Sequence, residues 1–156
     1  MNQNAFTELP EPSPPQHLGA LLHRLADDFQ QRTLLKCRER GHRKFRSSHS
    51  AVITRLDAEG ISLGDLAGRV GISHQAAGKI VRDLERAGYV ELDLDLSDRR
   101  SRLIRLSPAG TRLQDDIRDV LVEVCGEYRA VLGQESMQQF EQQLHKALGS
   151  LSESPD

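Results

Sequence analysis

Apolar residues recur at helical spacing along most of this chain, with one short exception near its middle. Leu18, Leu21, Leu22, Leu25 and Phe29 form a stripe at intervals of three and four. That spacing predicts an amphipathic helix running to about Arg40 and stopping at Gly41. Val52, Ile53 and Leu56 repeat the pattern in a second helix, with Ser47 or Ser48 as the expected cap and Gly60 as the stop. Between Ile61 and Val90 the punctuation becomes denser. Ser62 is placed to cap a short helix holding Leu63, Leu66 and Val70, and Asp65 three residues on favours its start. Gly71 breaks that helix. Ser73 caps the next one, whose buried face is expected to be Ala77, Ile80, Val81 and Leu84, and Gly88 ends it. Two short helices joined by a tight glycine turn make the helix-turn-helix pattern.

After Gly88 the period changes to two. Val90, Leu92, Leu94 and Leu96 alternate with Tyr89, Glu91, Asp93 and Asp95, and a second strand, "SRLIRL", follows a turn around Ser97 and Asp98. This predicts a β-hairpin, a wing, attached to the helix-turn-helix. Ser107 and Pro108 then read as the cap and first position of a long helix. Its stripe is Leu113, Ile117, Leu121, Val124, Tyr128 and Val131. Beyond Gly133 a last helix carries Met137, Phe140, Leu144, Leu148 and Leu151. The expected fold is mostly α with a small antiparallel β-hairpin. Residues 1–16, with four of the six prolines, form an extended or disordered arm. Residues 17–46 are an N-terminal helix and basic connection, 47–110 a winged helix-turn-helix, and 111–156 the C-terminal helices.

Composition sharpens this picture. Tryptophan is absent from the 156 residues, so the core must be largely aliphatic. No apolar run approaches the roughly 20 residues that a spanning helix needs, and a cytoplasmic protein without a membrane partner is expected. Net charge is only −2, but it is unevenly spread. Residues 32–110 hold 16 Lys and Arg against 10 Asp and Glu, a surplus of +6, whereas residues 1–31 sum to −3 and residues 111–156 to −5. A basic centre between acidic ends is the footprint expected of a polyanion partner, and a solvated face is the plainer reading.

The candidate chemistry lies on the second helix of the pair and on the wing. Ser73, His74, Gln75, Gly78, Lys79 and Arg82 are expected on the face of that helix turned away from its apolar stripe. In a major groove, Gln75 could read adenine and Lys79 guanine, while Arg82 suits phosphate. At the wing, Asp98 is placed to brace Arg99 or Arg100 through a charge-assisted hydrogen bond, and narrow minor grooves attract such arginines. The acidic residues of the first strand can pair with arginines across the hairpin or face solvent. Arg38 to Arg46, "RERGHRKFR", could contact flanking phosphates or be a solvated loop.

From Ser47 to Arg112 the chain resembles the MarR/SlyA family of bacterial winged helix-turn-helix regulators. The resemblance rests on "ISLGDLAGRVGISHQAAGKIVRDLERAGYV" followed by "SDRRSRLIRLSPAG". The family's Leu-x-x-x-Gly turn, Asp-x-x-Asp-Arg-Arg wing and Leu-Thr-x-x-Gly helix start become Leu84 to Gly88, Asp95 to Arg100, and Leu106 to Gly110. Leu96 stands where a proline is usual, Glu91 and Asp93 make the first wing strand unusually acidic, and Gly78 replaces a larger residue. A mid-helix glycine costs roughly 1 kcal/mol relative to alanine, and close approach to DNA is one use for it. The resemblance implies a homodimer built from the N- and C-terminal helices. It implies binding to double-stranded DNA at a pseudo-palindromic operator, most often as a repressor, and release by a small aromatic or lipophilic effector. Arg99 is then the better minor-groove candidate.

Two alternatives accompany this reading. Cys37, between Lys36 and Arg38, could be a redox-sensing thiol, because nearby cations favour thiolate; an inert small residue is the plainer expectation. A winged-helix protein-interaction module is the other. Cys37, His42 and His49 do not match a usual zinc spacing, so no metal or other cofactor is expected. Nothing arranges a nucleophile with a base, or a phosphate-cradling loop, so no enzyme is expected.

Overall fold

A computed structural model describes residues 15–94 and 102–152. The elements run α1 (Pro15–Glu39), α2 (Ser47–Ile53), β1 (Ile61–Ser62), α3 (Leu63–Val70), α4 (His74–Ala87), β2 (Val90–Leu94), β3 (Arg102–Leu106), α5 (Pro108–Leu132) and α6 (Gln134–Ser152). The three strands form one antiparallel sheet in the order β1-β3-β2. Ile61 pairs with Ile104 on one side of β3, and Leu92 pairs with Ile104 on the other.

The helix-turn-helix follows its caps. Ser62 Oγ accepts the Asp65 N–H at 3.1 Å, and Ser73 Oγ accepts the Ala76 N–H at 3.2 Å. Gly71 (φ 72°) and Gly88 (φ 84°) close the two helices in the left-handed region, where a side chain would be strained. Leu66, Val81, Leu84, Val90 and Ile104 meet in one core with Val52 and Ile53 of α2, and α5 supplies Leu113, Ile117, Val120 and Val124.

The second helix departs from expectation. Neither Ser47 nor Ser48 caps it. Arg46 takes that position, and the His49 ring accepts its N–H through Nδ1 at 3.3 Å, the part a Glu or Gln side chain plays in a capping box. The helix also stops at Ile53, well before Gly60. Gln114 of α5 donates to the carbonyls of Ile53 (2.9 Å) and Leu56 (3.0 Å), so the chain turns there with Leu56 still buried. α1 starts at Pro15, two residues inside the arm expected over residues 1–16; the rest of that arm lies outside the described residues. A two-residue strand, β1, enlarges the expected hairpin to three strands.

The junction of sheet and α5 is tight. Ser107 Oγ donates to Gly88 O (2.6 Å) and accepts the Gly110 N–H (3.0 Å), while Ser107 N–H donates to Tyr89 O (3.0 Å). A Cβ on Gly110 would fall 1.9 Å from Tyr89 O. The glycine of "LSPAG" is therefore required by close packing of α5 on the strand entry, not by a turn.

Candidate nucleic-acid interface

α4 divides cleanly into two faces. Ala77, Val81 and Leu84 are buried, and Ile80 is half-buried, as its apolar stripe requires. His74, Gln75, Lys79 and Arg82 are exposed on the other side. Among the described residues, no carboxylate pairs with Lys79 or Arg82. Arg86, one turn beyond, is held by Asp83. Ser73 is exposed, but its hydroxyl is engaged as the cap. Gly78 does not belong to the open face. It is buried, and a Cβ there would stand 3.6 Å from Leu63 Cδ2 and 3.4 Å from the Arg82 guanidinium. Both are ordinary contact distances, so a methyl group would fit there; it is the burial of Gly78 that corrects the expectation that it faces outward.

The wing is described only at its base. Asp93 and Arg105 form an ion pair at 3.4 Å across β2 and β3, which accounts for one of the strand acids. Asp98, Arg99 and Arg100 lie outside the described residues.

The basic centre resolves into two populations. On α1 and just past its end, Arg32, Lys36 and Arg40 are matched by carboxylates of α5. Arg32 meets Glu127 at 2.8 Å, Lys36 meets Glu127 at 2.9 Å, and Arg40 meets Asp116 at 3.0 Å and also Glu123. Asp28 extends the ladder, accepting from Arg32 (2.6 Å) and the Tyr128 hydroxyl (2.5 Å). Lys36, then Arg32, hold the Glu127 carboxyl below its ordinary range, and Arg32, then Tyr128, do the same for Asp28. The His42 ring, hydrogen-bonded at 2.8 Å, acts first on Asp116 in the same direction. This part of the positive surplus therefore binds the chain to its own acidic C-terminal region, not to an external polyanion. The connection between α1 and α2 is also less solvated than its composition suggests, since His42 and Phe45 are buried within it.

Cys37 is not poised for redox chemistry. Its side chain is fully buried, and burial, with Asp116 adding to it, pushes the thiol up to about 11. Arg40 opposes this but does not prevail. A reactive thiol needs a depressed pKa and access, and Cys37 has neither. The adjacent Lys36 and Arg38 mislead in sequence because one pairs with α5 carboxylates and the other with the Phe45 carbonyl.

One feature had no marker in the sequence. α1, α5 and α6 enclose an apolar groove of about 920 Å3, whose walls include Leu22, Leu25, Phe29, Tyr128, Phe140 and Leu144. Around it Leu18 (62%), Val131 (84%) and Leu132 (46%) stand exposed. The stripe on α1 is thus only partly consumed within the chain. No helix among the described residues is long and apolar enough to cross a membrane.

Comparison with known proteins agrees with this architecture. The family model described as MarR family matches residues 46–101. Over 76 residues the chain is 36% identical to the transcriptional activatory protein BadR of Rhodopseudomonas palustris, a match covering 46% of this chain and 43% of that relative. The chain thus spans less than half the length of that curated relative. CouR from Rhodococcus jostii RHA1, solved with p-coumaroyl-CoA bound, superposes with a TM-score of 0.66 at 25% identity, covering 89% of this chain and 94% of CouR. MepR of S. aureus in complex with DNA superposes with a TM-score of 0.65 at 18% identity, covering 85% and 96% of the two chains. At that identity the likeness concerns the fold.

Proposed function

We propose that the chain, whose residues 46–101 match the MarR family model, is a transcriptional regulator of that family that binds double-stranded DNA as a homodimer. The observation that carries this reading is the contrast between cations. Arg32 and Lys36 of α1 are neutralised by Glu127, whereas Lys79 and Arg82 stand exposed on the outer face of a capped helix. α4 enters the major groove, Gln75 and Lys79 meet base edges, and Arg82 meets phosphate. Arg99 and Arg100 at the wing reach the neighbouring minor groove, with Asp98 as their brace. A second copy covers the exposed leucines and valines of α1 and α5, which sets two reading heads on half-sites about one helical turn apart.

The groove between α1, α5 and α6 gives a small aromatic or lipophilic effector a place to act on dimer geometry and release the operator. CouR, of similar fold, was solved with an aromatic acyl thioester. Repression by operator occlusion is the proposed sign of regulation. BadR is named an activator, so a reporter placed behind the bound promoter decides the sign.

The test is selection of genomic fragments by the full chain, followed by salt titration on the recovered operator. Lys79→Ala should relax discrimination at one base pair per half-site by about 1–3 kcal/mol. Arg82→Ala should weaken all sequences alike and lower the salt slope by roughly one unit per lost phosphate contact. If both variants bind like the parent, the outer face of α4 is not the reading surface. If the parent binds no DNA at low salt, the protein-interaction module becomes the better reading.

A further inference from the structure

The connection between α1 and α2 and the last turns of α4 enclose a polar pocket of about 490 Å3, apart from both the reading face and the apolar groove. Arg38, Arg43, Lys44 and Arg46 line one side of it. Asp83 and Arg86 line the other, and they pair with each other. Among the described residues, no carboxylate pairs with Arg43, Lys44 or Arg46, although all three are exposed. The pocket therefore carries a concentrated positive charge that the chain does not balance.

His49 also lines this pocket, at 1% exposure. Its Nδ1 accepts the Arg46 N–H, so the neutral ring carries its proton on Nε2. Burial first, and then Arg46, hold the ring below its ordinary pKa, which keeps it neutral. The Nε2–H is buried and donates to nothing. A buried donor without an acceptor is uncommon and calls for an explanation, of which a bound ion is one. Here the unused donor sits among unbalanced cations. The partner that completes both deficits is an acceptor with negative charge.

We propose that this pocket binds the phosphate or carboxylate group of a small soluble metabolite, held by Arg43, Lys44 and Arg46 with His49 Nε2–H as the buried donor. The long cationic side chains fold over the oxyanion and open the way to Nε2 as they do so. A free anion fits better than a DNA backbone phosphate, because His49 lies beneath the surface where a duplex cannot follow. The site joins the α1–α2 connection to the C-terminal end of α4. It does not depend on the assignment of the DNA-reading face.

The imidazole 15N signals of His49 in the full chain report occupancy directly. Inorganic phosphate and benzoate are titrated separately, with chloride keeping ionic strength constant. A saturable shift of His49 Nε2 with at least one of them is expected, and the probe that saturates identifies the headgroup. Arg46→Ala and Lys44→Ala change exposed side chains and leave the fold intact by circular dichroism. Each should weaken that binding about tenfold, the loss expected for one charge-assisted contact. A linear drift indistinguishable from chloride overturns the proposal, as does unchanged affinity in both variants. Displacement of the anion by a duplex of unrelated sequence would assign the pocket to DNA backbone and overturn the metabolite reading.

Discussion

The reading head and the helical arm use the same kinds of residue in opposite ways. In the head, formed by α2, α3, α4 and the sheet, the large aliphatic side chains are turned inward: Leu66, Val81, Leu84 and Ile104 are all at most 3% exposed. Among the described residues, no carboxylate partners the solvent-facing cations of α4 except at Arg86. In the arm, formed by α1, α5 and α6, Arg32, Lys36 and Arg40 are matched by carboxylates of α5, and leucines and valines are left exposed. A surface that neutralises its own charge and shows apolar side chains suits another protein surface. One that buries its apolar side chains and shows charge suits a polyanion. The difference between the two halves says more about partners than the nearly neutral total does.

The sharpest way to break this contrast is to make one truncation in each half. Leu84→Ala removes a fully buried side chain and should cost about 2–5 kcal/mol in urea unfolding. Leu18→Ala should change subunit stability by less than about 0.5 kcal/mol. It should instead weaken self-association in light scattering. Equal effects of the two on unfolding would show that the arm is as self-contained as the head.

Gly110→Ala tests the joint between the halves. The new Cβ has no room beside Tyr89 O, so α5 must lift from the sheet. Overpacking of this kind costs about 1–3 kcal/mol. Near-parental stability by thermal melting would mean that the joint relaxes freely. Ser73→Ala comes next, removing the cap of α4 at a cost of about 1 kcal/mol. Proton exchange at the first turn of α4 should rise while the arm's protection stays unchanged.

The smallest effect belongs to the ladder. The Asp28, Asp116 and Glu127 carboxyls are held below their ordinary range. Their contribution is complete above that range and is lost as pH falls through the lowered folded values. Glu127→Gln should therefore differ slightly from the parent near neutral pH, and the gap should close in acid. A gap that widened in acid would reverse the assigned direction. Salt should also narrow it, because these pairs are exposed.

Much of the head was legible from local chemistry. Ser62, Gly71, Ser73, Gly88 and the Ser107-Pro108 start are signals contained within a few residues, and each acts at the position it marks. What escaped depends on distant partners. β1 exists only because Ile61 and Ser62 pair with Ile104 and Leu103. α2 ends early where Gln114, some sixty residues on, takes the carbonyls of Ile53 and Leu56. Val120 is fully buried although the sequence stripe ran past it, since α5 packs against several elements and not along a single face. Gly78 and Cys37 were assigned by their sequence neighbours, whereas burial in the folded chain decides both. The groove joins residues from three helices and has no linear pattern to find. The wing tip, with Asp98, Arg99 and Arg100, remains as read from the sequence.

The joint at Ser107 and Gly110 also has a mechanical consequence. α5 is clamped at its first turn to Gly88 and Tyr89, directly behind the end of α4, and Gln114 fastens its next turn to α2. At 1.5 Å per residue its 25 residues make a beam about 38 Å long. A beam fixed this firmly at one end is a pointer. Tilting its far end by roughly 3 Å turns the head by about 5°. Two heads turned in opposite senses on one symmetric pair of beams change their separation without any change within either head. In the proposed dimer the separation of the two heads would then be set at the far end of α5, where the groove lies.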